Sequence, residues 1–160
     1  MKIIFKYVVA FLLMAGMMLS CNNPKDSGDV YKDSREIYHQ AIEIHDEVMP
    51  KMGYIMQLQK SLKVTRDNLA DENVKIQVDS AINDLENAYD RMMTWMRNIP
   101  RIPEYNPNRN PEEMKGESLP DPGELKKSQQ ASLEEIKKVK VEIHESIDHA
   151  EKLLESLKGT

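Results

Sequence analysis

Three stretches of this chain repeat apolar residues at the period of an α-helix. In the first, Ile37, Ala41, Ile44, Val48, Met52, Ile55, Leu58, Leu62 and Leu69 recur at roughly 3.6 residues, the mark of a helix with one buried face. A second line, Tyr38, His45, Met49 and Met56, lies about a quarter turn round, and two adjacent stripes imply two neighbouring helices. Pro50 interrupts the pattern without shifting its phase. Proline lacks an N–H and crowds the carbonyl four residues back, so one helix over about 30–68, kinked at Pro50 near Asp46, is expected. Two starts compete for it: Asp29 as a direct cap, or Asp33 with Glu36 as a capping box.

The second stretch is the most regular. Val74, Val78, Ala81, Leu85, Ala88, Met92, Trp95 and Ile99 alternate steps of four and three, a heptad seam widened by Ile82, Tyr89, Met93 and Met96. It predicts a helix over about 72–99, joined to the first by the Asp- and Asn-rich segment 67–73 and ended by Pro100. The third stretch opens on Asp121 as N-cap, Pro122 in the first turn and Glu124 to complete a capping box. Its seam reads Leu125, Gln129, Ser132, Ile136, Val139, Ile143, Ser146, Ala150, Leu153 and Leu157, with Gly159 where a helix over about 122–158 should stop. The polar seam positions predict looser packing at Gln129 and Ser132. Between the last two helices lies a proline-rich strap, 100–121, whose composition favours extended chain running along the bundle. The fold expected for 30–160 is therefore all-α, an antiparallel three-helix bundle with long, coiled-coil-like helices. In its first hairpin, residues whose numbers sum to roughly 141 lie side by side, which sets Met49 against Met92 and His45 level with Met96.

The N-terminal end changes the picture. Lys2 and Lys6 precede an uncharged apolar run, Val8 to Leu19, that is shorter than the ~20 residues needed to span a bilayer. The run ends in Met18-Leu19-Ser20-Cys21, and Cys21 is the single cysteine, so neither an internal disulfide nor a Cys-based metal cluster is open to it. A cysteine in this place resembles the lipobox of bacterial lipoproteins. Residues 1–20 are then a signal peptide, Cys21 the lipidation site, and 21–29 a lipidated tether that keeps the domain on the membrane through two or more acyl chains. Removing 1–20 takes two of the 22 basic residues and none of the 27 acidic ones, moving the net charge from −5 to −7. An acidic domain argues against nucleic acid as a partner.

Candidate chemistry is sparse. Seven methionines follow residue 20, and six fall in two windows, Met49, Met52, Met56 and Met92, Met93, Met96, which the hairpin register brings together. His45, Met49, Met92 and Met96 form a soft thioether and imidazole set suited to Cu(I). Packing alone also accounts for them, because methionine fills the irregular gap that a kink makes beside Trp95. Glu36 and His39 have a di-iron spacing but no second copy, and point away from the apolar stripe. His144 and His149 lie on different sides of their helix, while His39, Glu43 and Asp46 share an exposed face. Gly-rich phosphate loop, thiol nucleophile and Gly-x-Ser-x-Gly elbow are all missing. The expectation is a non-enzymatic module without catalytic residues or cofactor, an enzyme with its site under the strap being the distant alternative. Tyr105, Arg101 and Arg109 in the strap, with Tyr54, Ile76 and Val141 outside the seams, are weak candidates for recognition.

Ser20-Cys21-Asn22-Asn23, the run His45 to Gly53, and Met92-Met93-Thr94-Trp95-Met96-Arg97 carry a resemblance to small helical lipoproteins of the Bacteroidetes, sometimes labelled "viral A-type inclusion protein". The resemblance implies an envelope lipoprotein of unknown activity and supplies no catalytic residue; a protein partner is expected instead from the lipid site, the long seams and the lack of catalytic motifs. Asn22 after the cysteine, instead of Asp, looks like outer-membrane sorting, and Lys25-Asp26 like a faint surface-export signal.

Overall fold

The computed structural model describes residues 29–104 and 119–158. The expected signal peptide, Cys21, most of the expected tether, Tyr105, Arg109 and Gly159 lie outside the described residues. Four helical segments follow in order: α1 (Lys32–Val48), α2 (Lys51–Asp67), α3 (Glu72–Asn98) and α4 (Pro122–Lys158). The first two are one helix bent by about 40°, so the architecture is a three-helix bundle, without strands among the described residues.

Local chemistry explains each boundary. The Asp29 carboxylate accepts from the Tyr31 N–H at 3.0 Å and grips the Arg35 guanidinium, which sets the start of α1. The alternative box on Asp33 does not form, because Asp33 sits inside the first turn and takes the Lys126 ammonium at 2.7 Å instead. At the bend the α1 ladder closes with Met49 N–H to the His45 carbonyl, 2.9 Å, and resumes with Met52 N–H to the Met49 carbonyl, 3.1 Å. Met49 and Pro50 both keep helical dihedrals, so the missing proline donor bends the axis and does not end it. Asp71 caps α3 by accepting from Asn73 N–H at 2.8 Å. Asp121 caps α4 through Glu124 N–H at 2.9 Å, whereas the Glu124 carboxylate pairs with Lys127.

Burial follows the seams. Ala41, Val48, Ile55, Leu62, Val78, Ala81, Leu85, Met92, Ile136, Val139, Ile143 and Ala150 are fully shielded. Leu133 and Ile147 join this core from positions beside the α4 seam. Gln129, expected to loosen the packing, is also fully buried.

The bend decides who touches whom. α1 lies along α4 and stands off α3, while α2 packs on α3 and less closely on α4. Because the bent helix α1–α2 and α4 run parallel, their side chains meet in a ladder of Asp33–Lys126 and Glu47–Lys140 from α1 and Tyr54–Glu151 from α2, at 2.5–2.7 Å. In the hairpin His45 meets Trp95, on the expected register, while Lys63–Glu86 and Arg66–Asp79 fall a few residues off it.

α3 ends at Asn98, short of the first turns of α1, and extended chain takes its place. Gln129 Nε2 donates to the Pro100 carbonyl and Arg35 to the Pro103 carbonyl, both at 2.7 Å, and the Tyr31 hydroxyl donates to the Pro120 carbonyl at 2.8 Å. All three acceptors belong to the described ends of the strap, where no helix or strand ladder satisfies the carbonyls.

Candidate functional site

The most unusual surface lies where the bent helix parts from α3. His45 is one turn before Met49 on α1, joined to it by the last backbone bond of that segment. The imidazole stacks on the Trp95 indole, with ring centroids 5.6 Å apart and planes at 28°. Trp95 is held in turn by its indole N–H donating to the Ser132 carbonyl at 2.9 Å. Two aromatic rings and one long hydrogen-bonded side chain therefore occupy the space that α1 vacates by leaving α3.

Met92, Met93 and Met96 neighbour Trp95 on α3, and Met49 follows His45 by one turn. The Lys63–Glu86 pair, 2.9 Å, marks one rung across the outer edge of α2 and α3. One heptad toward the bend on each helix stand Met56 and Met93; a further heptad brings Met49, and one turn beyond Met93 lies Met96. Met49, Tyr89 and Met93 are half-buried against the core, whereas Met56 is 57% and Met96 40% exposed. Met52 and Met92 are buried. The methionines of the two windows therefore split by burial, two in the core, two half-buried and two on an open rim. The second stripe of the first helix behaves alike: Tyr38, His45 and Met49 are half-covered, and Met56 beyond the bend is bare.

His45 has one further contact that matters. Its Nδ1 lies 2.9 Å from an Asp46 carboxylate oxygen. An ionised carboxylate only accepts, so Nδ1 carries the hydrogen and Nε2 keeps its lone pair in the neutral ring.

The other clefts are organised by ion pairs. Between α3 and α4, Arg91 reaches both Glu135 and Glu142, one heptad apart. On one side of it a groove of about 550 Å³ is lined by Asp84, Asn87, Glu142, Glu145 and His149, and on the other one of about 330 Å³ by Thr94, Trp95, Asn98 and Ser132. His149 Nδ1 is 3.0 Å from Asp84, which uses that imidazole within the groove. Under the start of the strap, a groove of about 380 Å³ is lined by Arg35, Tyr38, His39, Ile99 and Ile102. Among the described residues no three His, Cys, Asp or Glu side chains gather as a metal site. Tyr54 is bound to Glu151, and Ile76 and Val141 are exposed.

The displaced carboxylates tell the same story. Asp29 is held below the ordinary range by Arg35, Asp33 by Lys126, Glu47 by Lys140 and Asp79 by Arg66, in each case chiefly through a side-chain hydrogen bond at the surface. The first closes the start of α1, and the other three join neighbouring helices.

Tyr31 and Arg91, which tie the strap and α4 in place, escape a periodicity reading, and Gln129 enters it as a seam position without its partner. Only the heptad interval of Glu135 and Glu142 hints at one of them. No helix among the described residues is long and apolar enough to cross a membrane. No protein-family model, curated protein or solved structure matches this chain.

Proposed function

We propose that the chain is a lipoprotein of the bacterial envelope, lipidated at Cys21 and held on the outer membrane, whose helical bundle is a non-enzymatic module that docks a protein partner at the methionine rim of the bend. The observation that carries this reading is the exposure of Met56 and Met96 on one edge, beside half-buried Met49, Tyr89 and Met93. Methionine is flexible and polarisable, and surfaces rich in it re-pack around apolar side chains of a partner. Lys2 and Lys6, the uncharged run Val8 to Leu19 and the single cysteine after it support the envelope location.

Two measurements in intact cells test it. Cys21→Ala should move the protein from the membrane to the soluble fraction, and a variant that stays membrane-bound rejects the anchor. A photocrosslinking residue at Met56 or Met96 should trap one common protein species, while the same residue at exposed Gln57 traps none. Equal labelling from all three positions rejects the docking rim.

A further inference from the structure

We propose that the two facing turns at the bend bind a soft monovalent metal ion, Cu(I), with His45 and Met49 of α1 and Met92 and Met96 of α3 as ligands. The case starts from spacing. Each pair is separated by four residues, so each lies one above the other on a single helix face, and the two faces oppose each other across an antiparallel crossing. The His45–Trp95 stack fixes that crossing at this level, because Met92 and Met96 flank Trp95 on α3. Four donors at the corners of two antiparallel turns can approach a common point from different sides, which a low-coordinate d¹⁰ ion accepts.

Chemistry then narrows the ion. Three thioethers are soft donors that hold Cu(I) or its surrogate Ag(I) and discriminate against Mg²⁺ or Ca²⁺. In the neutral ring, Nδ1–H donates to the Asp46 carboxylate and the Nε2 lone pair is left for a metal, an orienting carboxylate of the kind that commonly supports a ligating histidine. Burial also suits the task. Met92 is fully shielded and the His45 side chain is 18% exposed, while Met96 remains 40% exposed and gives an ion a way in. Packing alone explains a buried Met92; it does not require a histidine of that tautomer one turn from Met49 and stacked on the tryptophan that Met92 and Met96 flank.

The site is tested on the chain beginning at residue 22, which holds the whole described bundle and omits the Cys21 thiol. Cu(I) is titrated in from a weak chromogenic chelator, with Ag(I) as a redox-inert parallel. Trp95 is the only tryptophan, so its emission reports the site directly. One equivalent should leave the chelator and quench that emission. Exposed Met96→Leu should weaken binding at least about tenfold, and Asp46→Ala about tenfold through the imidazole. The triple change of Met49, Met92 and Met96 to Leu, which conserves volume, should abolish competition while keeping the helical melt. Met56→Leu should bind as the parent does, and Met56→Ser should lose the partner crosslink alone, which separates the metal site from the docking rim. Failure of the parent to compete with the weak chelator overturns the proposal, as does a triple variant that binds as tightly as the parent.

Discussion

From the bend to the α2–α3 turn, three helices bury Ile55, Leu62, Val78, Leu85, Ile143 and Ala150 against one another, and the one buried polar residue there, Ser146, donates to its own helix at Ile143. From the bend to the start of α1, two helices and a length of strap do the same work with Tyr31, Trp95, Gln129 and Arg35 donating to main-chain carbonyls. The contrast follows from one residue. Pro50 tilts α1 away from α3, and the space left is not helix-shaped, so shape-filling side chains with directed donors replace a repeating apolar seam. Area-driven contacts tolerate sliding, whereas directed bonds fix one arrangement.

Substitution should separate the two ends. The largest loss is expected in the seam: Leu85→Ala or Ile143→Ala should destabilise by about 2–5 kcal/mol in urea unfolding, because each removes a fully shielded side chain and leaves a cavity. Near-silent behaviour at both would mean that the lower half is not the cooperative core. Trp95→Phe should cost about 1–3 kcal/mol, combining the lost indole hydrogen bond with unfilled volume. Amide exchange should show the accompanying loosening at Ile99 and the adjoining strap, leaving α2 protected; uniform loosening would dissolve the distinction between the ends.

Smaller effects sharpen the role of the bend itself. A Cβ built on Gly53 meets nothing within 4 Å, and Gly53 lies in the first turn of α2. Gly53→Ala should therefore stabilise by about 0.5–1 kcal/mol in thermal unfolding. A loss would show that the bent segment needs the glycine's freedom. The smallest effect belongs to the α1–α4 ladder. Asp33 and Glu47 have depressed pKa values when folded, so their contribution is present above the ordinary carboxylate range and is lost as pH falls through and below about 4. Glu47→Gln should flatten part of that acid limb and do nothing at neutral pH in about 1 M salt, since both partners face water.

Much of the seam was legible because burial on a helix follows a local period. Ala41, Val48, Leu85 and Ile143 could be placed without knowing any partner. The bend was legible too, since proline acts on the carbonyl four residues back. What could not be read depends on distant chain. Gln129 looks like a seam defect until the Pro100 carbonyl, 29 residues earlier, arrives to meet it. Asp33 looks like a cap until Lys126 comes within reach. Met56 and Met93 share a line with buried neighbours, yet the tilt exposes one and half-covers the other. The soft-ligand set was visible as a pair of windows; the Asp46 contact that selects the imidazole donor was not.

The parallel course of α1 and α4 has a mechanical meaning. α4 is 37 residues long, about 55 Å, and its far end stands beside the α2–α3 turn. For a chain gripped at its N-terminus and tugged at that distant tip, tension enters at α1 and leaves along α4. The Asp33–Lys126, Glu47–Lys140 and Tyr54–Glu151 rungs then lie side by side along the load and are strained together in shear, where an antiparallel pair pulled from one end would peel open rung by rung.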